Sequence, residues 1–358
     1  MMRTTLLGAT LVMLLGCIPD GAPMAPASSP GAQITSPLSG LPDPPGSANV
    51  PKPSGAARNL RILPWAGFKS AVTYTFDDAQ PSHIAHWPEL DAKGIRGTFY
   101  LNTSSRGSDF DAAWQRALAR GWELGNHTVH HCHADGSCLY GASFLGMDAE
   151  LDGVTAYIKT TAKQADVWTA AYPFGDTGYA PAVKARFFLA RGVSPGTILP
   201  NANVDPMNLP CISAIATGGE PASKFSADID AARGEGSWLI FLFHSIAPTP
   251  QSWYATTDIA SITGSIDHAL SLRDVWLDTV VTVGAYWLGQ KLLANAPPVT
   301  AGNATTWSWT LPAHFPKGRF VRVVVDGGTL AQGNRTLPWD PHGYYEVALD
   351  AGSLTLSL

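Results

Sequence analysis

The sequence has little charge and no cluster of basic residues. Only 14% of its 358 residues are charged, and the formal net charge is -5. No stretch is rich in lysine or arginine, so the chain lacks the positive field that collects phosphate backbones. We therefore expect no nucleic-acid partner.

The sequence also lacks an apolar run long enough to cross a bilayer, which takes about 20 residues. A short apolar run follows Arg3 and ends in Leu14, Leu15, Gly16 and Cys17, an arrangement typical of a secretion signal. The ending resembles a bacterial lipobox, in which the cysteine becomes the lipidated first residue; an ordinary signal with a chance cysteine is the alternative. We expect residues 1–17 to be a lipoprotein signal peptide and Cys17 to anchor the exported protein on a membrane, facing the periplasm or the cell surface.

Aromatic residues are almost absent from residues 18–57, which are rich in Pro, Gly, Ser and Ala. Such a composition cannot fill a core, so this segment is expected to be an extended, flexible linker. The folded part is expected to begin near residue 58.

Cysteine is scarce, with four residues in the chain. If Cys17 is lipidated, an oxidising compartment allows one disulfide among the other three and leaves one thiol over. Cys132 and Cys138 are close enough in sequence to close a small loop, and a Cys132–Cys211 pairing stays open. A structural zinc site that uses Cys132, His133 and Cys138 is disfavoured, because the spacing matches none of the usual patterns.

Short β-rich runs alternate with helical patterns from residue 71 onward, which indicates parallel strands linked by helices in an α/β fold, as a barrel or an open sheet. The predicted strands are 71–76, 96–101, 167–172, 188–193 and 238–245, and the predicted helices are 81–94, 111–121, 147–163, 180–187 and 223–234, with a late strand and a closing helix within 278–296.

The helical period disappears after residue 297. Strand-like runs separated by Gly, Pro and Asn turns predict a small antiparallel β module over 298–358. A module of this size needs its aromatic residues for packing, so we favour a core role for them over carbohydrate binding. These aromatic residues are Trp307, Trp309, Trp339, Tyr344 and Tyr345.

Polar residues follow several of the predicted strands. Asp77 and Asp78 end the run "YTFDD", and a helix cap would need only one of them. His127 and His131 are four residues apart in "HTVHH", a spacing that puts two imidazoles on one side of a helical turn. With one aspartate they would form a two-His, one-carboxylate metal site that leaves positions open for water and substrate.

Two further stretches end strands in the same way. "AAYPFGD" contains Tyr172, Pro173 and Phe174 at a sharp turn, which either aims backbone N–H groups at a developing oxyanion or simply ends the strand. "WLIFLFHS" places His244 after an apolar strand, where a lone histidine is more often structural.

Taken in order, "TFDD", "HTVHH", "YPFG" and "FLFH" resemble four motifs of the polysaccharide deacetylase family with NodB homology, carbohydrate esterase family 4. The resemblance covers roughly 68–290, within a catalytic domain expected over 58–297, and implies a distorted (β/α) barrel. It also implies metal-dependent hydrolysis of acetyl groups. The ion would be Zn²⁺, with Co²⁺ or another divalent ion as alternatives.

The resemblance assigns a role to each motif residue. Asp77 would be the general base and His244 the general acid, while Asp78, His127 and His131 would hold the metal. The backbone N–H of Tyr172 would stabilise the oxyanion, and Asp205 is a candidate for tuning the acid histidine. In this chain Ala171 stands where many members have an arginine that holds the catalytic aspartate, so the sequence does not show what orients Asp77.

Several alternatives remain at this point. The substrate is expected to be an N-acetylglucosamine-containing polysaccharide or oligosaccharide, with O-acetylated xylan as the alternative. A deacetylase-like protein that binds glycans without hydrolysing them has the missing arginine as its only support. A non-haem iron oxygenase would use the same ligand set, but such sites often lie on a double-sheet β scaffold, which the α/β alternation contradicts. We expect the protein to act as a monomer.

Overall fold

A computed structural model describes residues 35–104, 109–139, 141–215, 219–249 and 254–358. The predicted signal peptide with Cys17, and the first part of the predicted linker, lie outside the described residues. None of the helices in the described ranges is long and apolar enough to cross a membrane.

The described chain alternates strands and helices up to residue 295 and then continues as strands. The strands are β1 Arg61–Ile62, β2 Ser70–Phe76, β3 Thr98–Leu101, β4 Glu123–Asn126, β5 Thr169–Ala171, β6 Leu189–Arg191, β7 Ile212–Ser213, β8 Trp238–Phe243, β9 Ile246–Ala247, β10 Thr257–Asp258, β11 Val275–Leu277, β12 Val299–Ala301, β13 Ala304–Ser308, β14 Phe320–Val324, β15 Thr329–Gln332, β16 Arg335–Thr336, β17 Tyr345–Ala348 and β18 Ser353–Ser357. The α-helices are α1 Pro81–Ala85, α2 Trp87–Asp91, α3 Asp109–Ala119, α4 Met147–Tyr157, α5 Ala180–Lys184, α6 Ala222–Glu235, α7 Ile259–Leu272 and α8 Val280–Asn295.

Parallel strands form the central sheet in the order β6-β5-β4-β3-β2-β8-β7, and β11 pairs with the beginning of β2. Every residue of β2 and β8 is buried, which explains their continuous apolar sequences. A parallel bridge joins Arg191, the last residue of β6, to Leu209, just before β7. The two edges therefore approach each other and the sheet curls into a barrel. The predicted α/β class with a distorted (β/α) barrel is confirmed.

Some predicted elements differ from the observed ones. The helix predicted at 81–94 is two short helices, α1 and α2, that meet at His86. The late strand lies at β11, before the segment predicted for it, because the Thr279 side chain accepts the N–H of Thr282 and starts α8 there. Helix α7 was not predicted from the sequence.

The C-terminal strands are antiparallel, in a five-stranded sheet of order β12-β13-β18-β15-β16 and a three-stranded sheet of order β1-β14-β17. Helix α8 packs closely on them, since a side chain on Gly289 would meet Leu349 and Val321. One apolar cluster thus contains residues of the barrel and of the C-terminal strands. The domain boundary at residues 297 and 298 therefore stays a proposal.

The aromatic residues of the C-terminal strands have packing roles. Tyr344 and Tyr345 are buried. Trp307 and Trp309 are partly buried against the same apolar cluster, and Trp339 packs edge-on against Tyr345. This arrangement agrees with the core role that we favoured.

The second half of the predicted linker contacts the C-terminal strands. Ser36 and Ser39 donate hydrogen bonds to Glu346 at 2.8 and 2.6 Å, and Arg322 donates to the carbonyl oxygen of Pro42 at 2.7 Å. Arg322 is fully buried and offers more donors than Glu346 accepts, so it also donates to the carbonyl oxygens of Leu41 and Pro42 in this segment and of Ala66. The expectation of a flexible linker is therefore wrong for residues 36–42.

Candidate active site

Five parallel strands end in polar or aromatic residues at the same edge of the barrel. Strand β2 leads to Asp77, β4 to His127, β5 to Tyr172 and β8 to His244, while Arg191 is the last residue of β6. The carboxyl ends of parallel strands meet on one side of a barrel, where active sites are built. The predicted catalytic and metal residues line one cavity of about 730 Å³ there: Asp77, Asp78, His127, His131 and His244.

Asp78, His127 and His131 converge on one point. The Nε2 atoms of the two histidines lie 3.4 Å each from Oδ1 of Asp78, and the three ligand atoms lie within 4.8 Å of one another. Ligands about 2.0–2.1 Å from a tetrahedral zinc ion would be separated by about 3.4 Å. The spacing of this set therefore fits a divalent metal ion.

The chemistry of the three side chains also fits a cation. Oδ1 of Asp78 is buried and has no hydrogen-bond partner, which is costly unless a cation satisfies it. Burial alone would raise the pKa of Asp78, but the nearby imidazoles of His127 and His131 lower it well below its ordinary value. Burial lowers the pKa of His131 to about 4. Both groups are therefore in their metal-binding forms at neutral pH.

Neighbouring groups orient two of these ligands. Nδ1 of His127 donates to the carbonyl oxygen of Ala171 at 2.9 Å, which leaves Nε2 free to face the metal position. Gln80, which is fully buried, donates to Oδ2 of Asp78 at 3.3 Å and accepts from Ser245 at 3.1 Å. Such partners fix the orientation of a ligand before the ion binds.

The backbone at the site adopts conformations that side chains disfavour. Asp78 and Ala79 have φ values of 75° and 50°, and Thr128 and His131 have values of 62° and 54°. Left-handed backbone costs roughly 1–2 kcal/mol at a residue with a Cβ atom. Two of the three candidate ligands thus hold strained positions, a feature that clusters at functional sites.

Arg191 holds Asp77. Its Nη2 donates to Oδ2 of Asp77, and both side chains are almost completely buried. Its Nη1 donates to the carbonyl oxygen of Gly192 at 2.8 Å, and its guanidinium lies 5.3 Å from the centre of the Tyr100 ring. The other carboxylate oxygen, Oδ1 of Asp77, is buried without a partner and remains free to accept a proton. Arg191 was not among the site residues predicted from the sequence.

His244 lies across the cavity with few partners. Its ring contacts Tyr254 edge-on at 4.7 Å, and its Nδ1 is buried without a hydrogen bond. Burial lowers the pKa of His244, although the charges of Asp77 and Asp78 act in the opposite direction. His83 fixes the backbone here, because its Nε2 lies 2.7 Å from the His244 carbonyl oxygen.

The loop that carries His131 is held at several points. Cys132 and Cys138 form a disulfide, and Cys211 is the buried free thiol. Before the disulfide, His130 bonds to the buried Glu150 through its N–H at 2.8 Å and its Nδ1 at 2.9 Å. His130 therefore holds the loop in place.

His133 also supports the loop. Its ring stacks on Phe174 with centroids 4.0 Å apart, and its Nδ1 lies 3.4 Å from Oδ2 of Asp176. The same Oδ2 accepts the N–H of Ala134 at 2.9 Å. The loop after β4 and the turn after β5 therefore pack as one unit.

Two sequence predictions at the site need correction. The N–H of Tyr172 donates to the carbonyl oxygen of Arg191 at 3.2 Å, because the β5–β6 pairing continues one residue past the strand, so this N–H is not free for an oxyanion. Pro173 is buried and has no N–H, while Phe174 lines the cavity. Asp205 is exposed and accepts the N–H of Met207 at 2.9 Å, whereas the carboxylates that act on His244 are Asp77 and Asp78.

Residues 67–186 match a family model described as polysaccharide deacetylase, which covers about a third of the chain. The match includes the segments that carry Asp77, Asp78, His127 and His131. This part of the chain therefore matches the polysaccharide deacetylase family, and the predicted resemblance to that family is confirmed. None of the curated proteins compared with the chain matches it.

Several solved structures are similar to this chain. A family 4 acetyl xylan esterase from Clostridium thermocellum, in complex with a cobalt ion, is 16% identical, with 61% of this chain and 91% of that chain covered and a TM-score of 0.41. A family 4 carbohydrate esterase from Streptomyces lividans, in complex with acetate, is 16% identical, with 61% and 95% covered and a TM-score of 0.43. A family 4 pseudoenzyme from Bacillus anthracis is 14% identical, with 60% and 64% covered and a TM-score of 0.41.

Proposed function

We propose that this protein is a metal-dependent deacetylase that removes N-acetyl groups from glycans containing N-acetylglucosamine. The observation that carries the proposal is the arrangement of Asp78, His127 and His131 beside Asp77, which lines the same cavity and whose Oδ1 has no hydrogen-bond partner. A polysaccharide deacetylase domain that contains these residues supports it.

A divalent ion held by Asp78, His127 and His131 would supply Lewis-acid polarisation of the acetyl carbonyl and a lowered pKa for its bound water. Asp77 accepts the proton of the attacking water at Oδ1, while Arg191 fixes the carboxylate through Oδ2. Proton transfer by a positioned group of this kind contributes typically about 10² to 10⁴ in rate.

His244 supplies the proton to the leaving group. Its backbone is fixed by His83 and its ring lies against Tyr254, so the imidazole enters the cavity near Asp77 and Asp78. The leaving nitrogen of an amino sugar must gain a proton as the C–N bond breaks, and an imidazole is suited to this step. An O-acetyl ester would use the same groups, with an oxygen in place of the nitrogen.

The alternative of a deacetylase-like protein that binds glycans without hydrolysing them loses its only support. It was based on the absence of an arginine beside the catalytic aspartate, and Arg191 makes that contact from the next strand. A site kept only for binding would not need a buried Arg191–Asp77 ion pair beside the candidate metal ligands.

Acetate release tests the proposal. The metal-loaded protein would be incubated with chitooligosaccharides, peptidoglycan and acetylated xylan, beside Asp77→Asn and the exposed control Asp205→Asn. We expect release from an N-acetylated substrate, a loss of about 10² to 10⁴ in Asp77→Asn, and little change in Asp205→Asn. Acetate release from acetylated xylan alone would favour an O-acetyl esterase. The absence of release from all three substrates would contradict the proposed enzymatic activity.

We also propose that the protein is an exported lipoprotein anchored through Cys17. Support comes from the short apolar run before Leu14, Leu15, Gly16 and Cys17. Fatty-acid labelling in a bacterial host tests this proposal. Label in the wild-type protein and none in Cys17→Ala would support it, whereas an unlabelled protein would contradict it.

A further inference from the structure

Exposed apolar side chains gather around the candidate active site. Several large hydrophobic residues that line the cavity are at least 40% exposed: Leu139 at 50%, Phe174 at 40%, Val193 at 44%, Ile215 at 57% and Tyr254 at 55%. They come from five separate segments, so their convergence does not follow from one apolar run. Exposed apolar clusters of this kind mark ligand grooves or other interaction sites.

The acetyl group alone does not account for this cluster. It has two carbons, whereas the cavity has a volume of about 730 Å³. A sugar ring could stack on Phe174 or Tyr254 through its C–H face. Aliphatic side chains, by contrast, offer no hydrogen bonds to hydroxyl groups and would leave them desolvated. Leu139, Val193 and Ile215, here called the aliphatic rim, therefore suit a different part of the substrate.

The rim is continuous with the catalytic groups. The same cavity is lined by Asp77 and His244, so a substrate that extends along it from these catalytic groups can reach the rim. The occupant of the rim is then part of the substrate and not an independent ligand.

We propose that the substrate is an acetylated amino sugar that carries an apolar aglycone, such as an alkyl chain, and that this aglycone lies against the aliphatic rim. The inference rests on the proposed deacetylase function and names the class of substrate for it. Burial of each methylene group is worth about fourfold in affinity, so a longer chain should raise kcat/KM until the rim is covered.

Alkyl β-glycosides of N-acetylglucosamine test the inference. Acetate release by the metal-loaded enzyme would be compared for methyl, butyl and octyl glycosides, all below their micellar concentrations. We expect kcat/KM to rise by at least tenfold from methyl to octyl. Ile215→Ser and Leu139→Ser should remove most of that gain and leave the rate with the methyl glycoside close to wild type.

Leu199→Ser is the matched control, because Leu199 is 49% exposed and does not line the cavity. It should keep the full gain with chain length. Equal kcat/KM for the methyl and octyl glycosides, or a gain that the rim substitutions leave unchanged, would overturn the inference.

A binding measurement separates failure of the inference from failure of the proposed function. Calorimetry with Asp77→Asn would compare the methyl and octyl glycosides without turnover. Hydrolysis that does not depend on chain length would support the proposed deacetylase function and reject the inference of an apolar aglycone. Tighter, rim-dependent binding of the octyl glycoside without hydrolysis of any acetylated glycan would support the rim and reject the deacetylase. If the protein shows neither hydrolysis nor preferential binding of the octyl glycoside, both the inference and the proposed function are rejected.

Discussion

Arg191 donates to Asp77 from the end of β6, and its register partner on the neighbouring strand β5 is Ala171. Ala171 is the position at which the resemblance to polysaccharide deacetylases leads one to expect an arginine. In this chain a guanidinium reaches the aspartate from one strand further along the barrel. The small side chain of Ala171 leaves room beside it.

Replacing Arg191 should damage catalysis more than binding. In Arg191→Lys the charge remains but the planar fork is lost, so Asp77 would be misplaced. We expect kcat to fall by about 10², the loss that a displacement of about 1 Å can cause, with KM close to wild type. Steady-state kinetics with an N-acetylated substrate measure both constants. An equal loss of kcat/KM that comes only from a higher KM would contradict a positioning role for Arg191.

Moving the arginine from position 191 to position 171 should restore the activity that is lost in Arg191→Ala. The double variant Ala171→Arg/Arg191→Ala places the guanidinium at the register partner and nearly conserves volume. We expect it to recover most of the kcat lost in Arg191→Ala. Thermal unfolding of both variants serves as the folding control, because removal of one partner of a buried pair costs about 3–5 kcal/mol. A folded double variant without recovery would show that the contact with Asp77 is not sufficient.

The disulfide should support metal binding. Cys132 follows His131 directly, and Cys138 closes the loop. In Cys132→Ala/Cys138→Ala we expect zinc affinity to fall by about 10- to 100-fold, as it does when groups that support a ligand are lost. Competition with a chromogenic chelator measures the affinity. An unchanged affinity would mean that Glu150 and Thr128, which bond to this loop, hold it unaided.

Metal affinity should depend on pH through His127. Burial would lower the pKa of His127, but the carboxylates of Asp77 and Asp78 raise it above its ordinary value of 6.5. A proton on His127 competes with the ion, so affinity should be constant above this raised pKa and fall about tenfold per pH unit below it. The fall should therefore begin above pH 6.5. Zinc titrations between about pH 5 and 9 test this dependence, and a flat profile would contradict it.

Acid should destabilise the fold through His83. Burial lowers the pKa of His83 from 6.5 to about 4 in the folded protein. As the pH falls below 6.5, His83 binds a proton in the unfolded chain but not in the folded one. The contribution of His83 to the free energy of unfolding is therefore fully present above pH 6.5 and is lost as the pH falls toward 4. The loss is about 3 kcal/mol. His83→Gln keeps a donor for the His244 carbonyl, and its free energy of unfolding should change less over this range in denaturant titrations.

The main catalytic groups could be predicted from the sequence because they follow strands directly. Asp77 and His244 each come immediately after an apolar run, and parallel strands bring such positions together. His127 was identified instead by its four-residue spacing from His131. The alternation of strands and helices predicted parallel strands in a barrel or an open sheet, and the family resemblance implied the distorted barrel. These features depend on local pattern and on a general rule of topology.

Contacts made by curling of the sheet could not be predicted in this way. Arg191 lies in a run that was predicted as a strand, and an arginine at the end of a buried strand was an available signal. The sequence does not show which strand it faces across the barrel. The loss of the Tyr172 N–H depends on the register of β5 with β6, and the partner of His130 is Glu150, 20 residues away. Each requires the tertiary structure.

The most direct test of the metal centre combines metal analysis with activity. Protein stripped by a chelator and reloaded with zinc should bind one ion per chain and recover acetate release, whereas His131→Ala and Asp78→Asn should bind the ion much more weakly and release little acetate. Asp205→Asn should behave as wild type. Full acetate release by the stripped protein, or by a folded Asp78→Asn variant without bound metal, would contradict the proposed metal-dependent deacetylase.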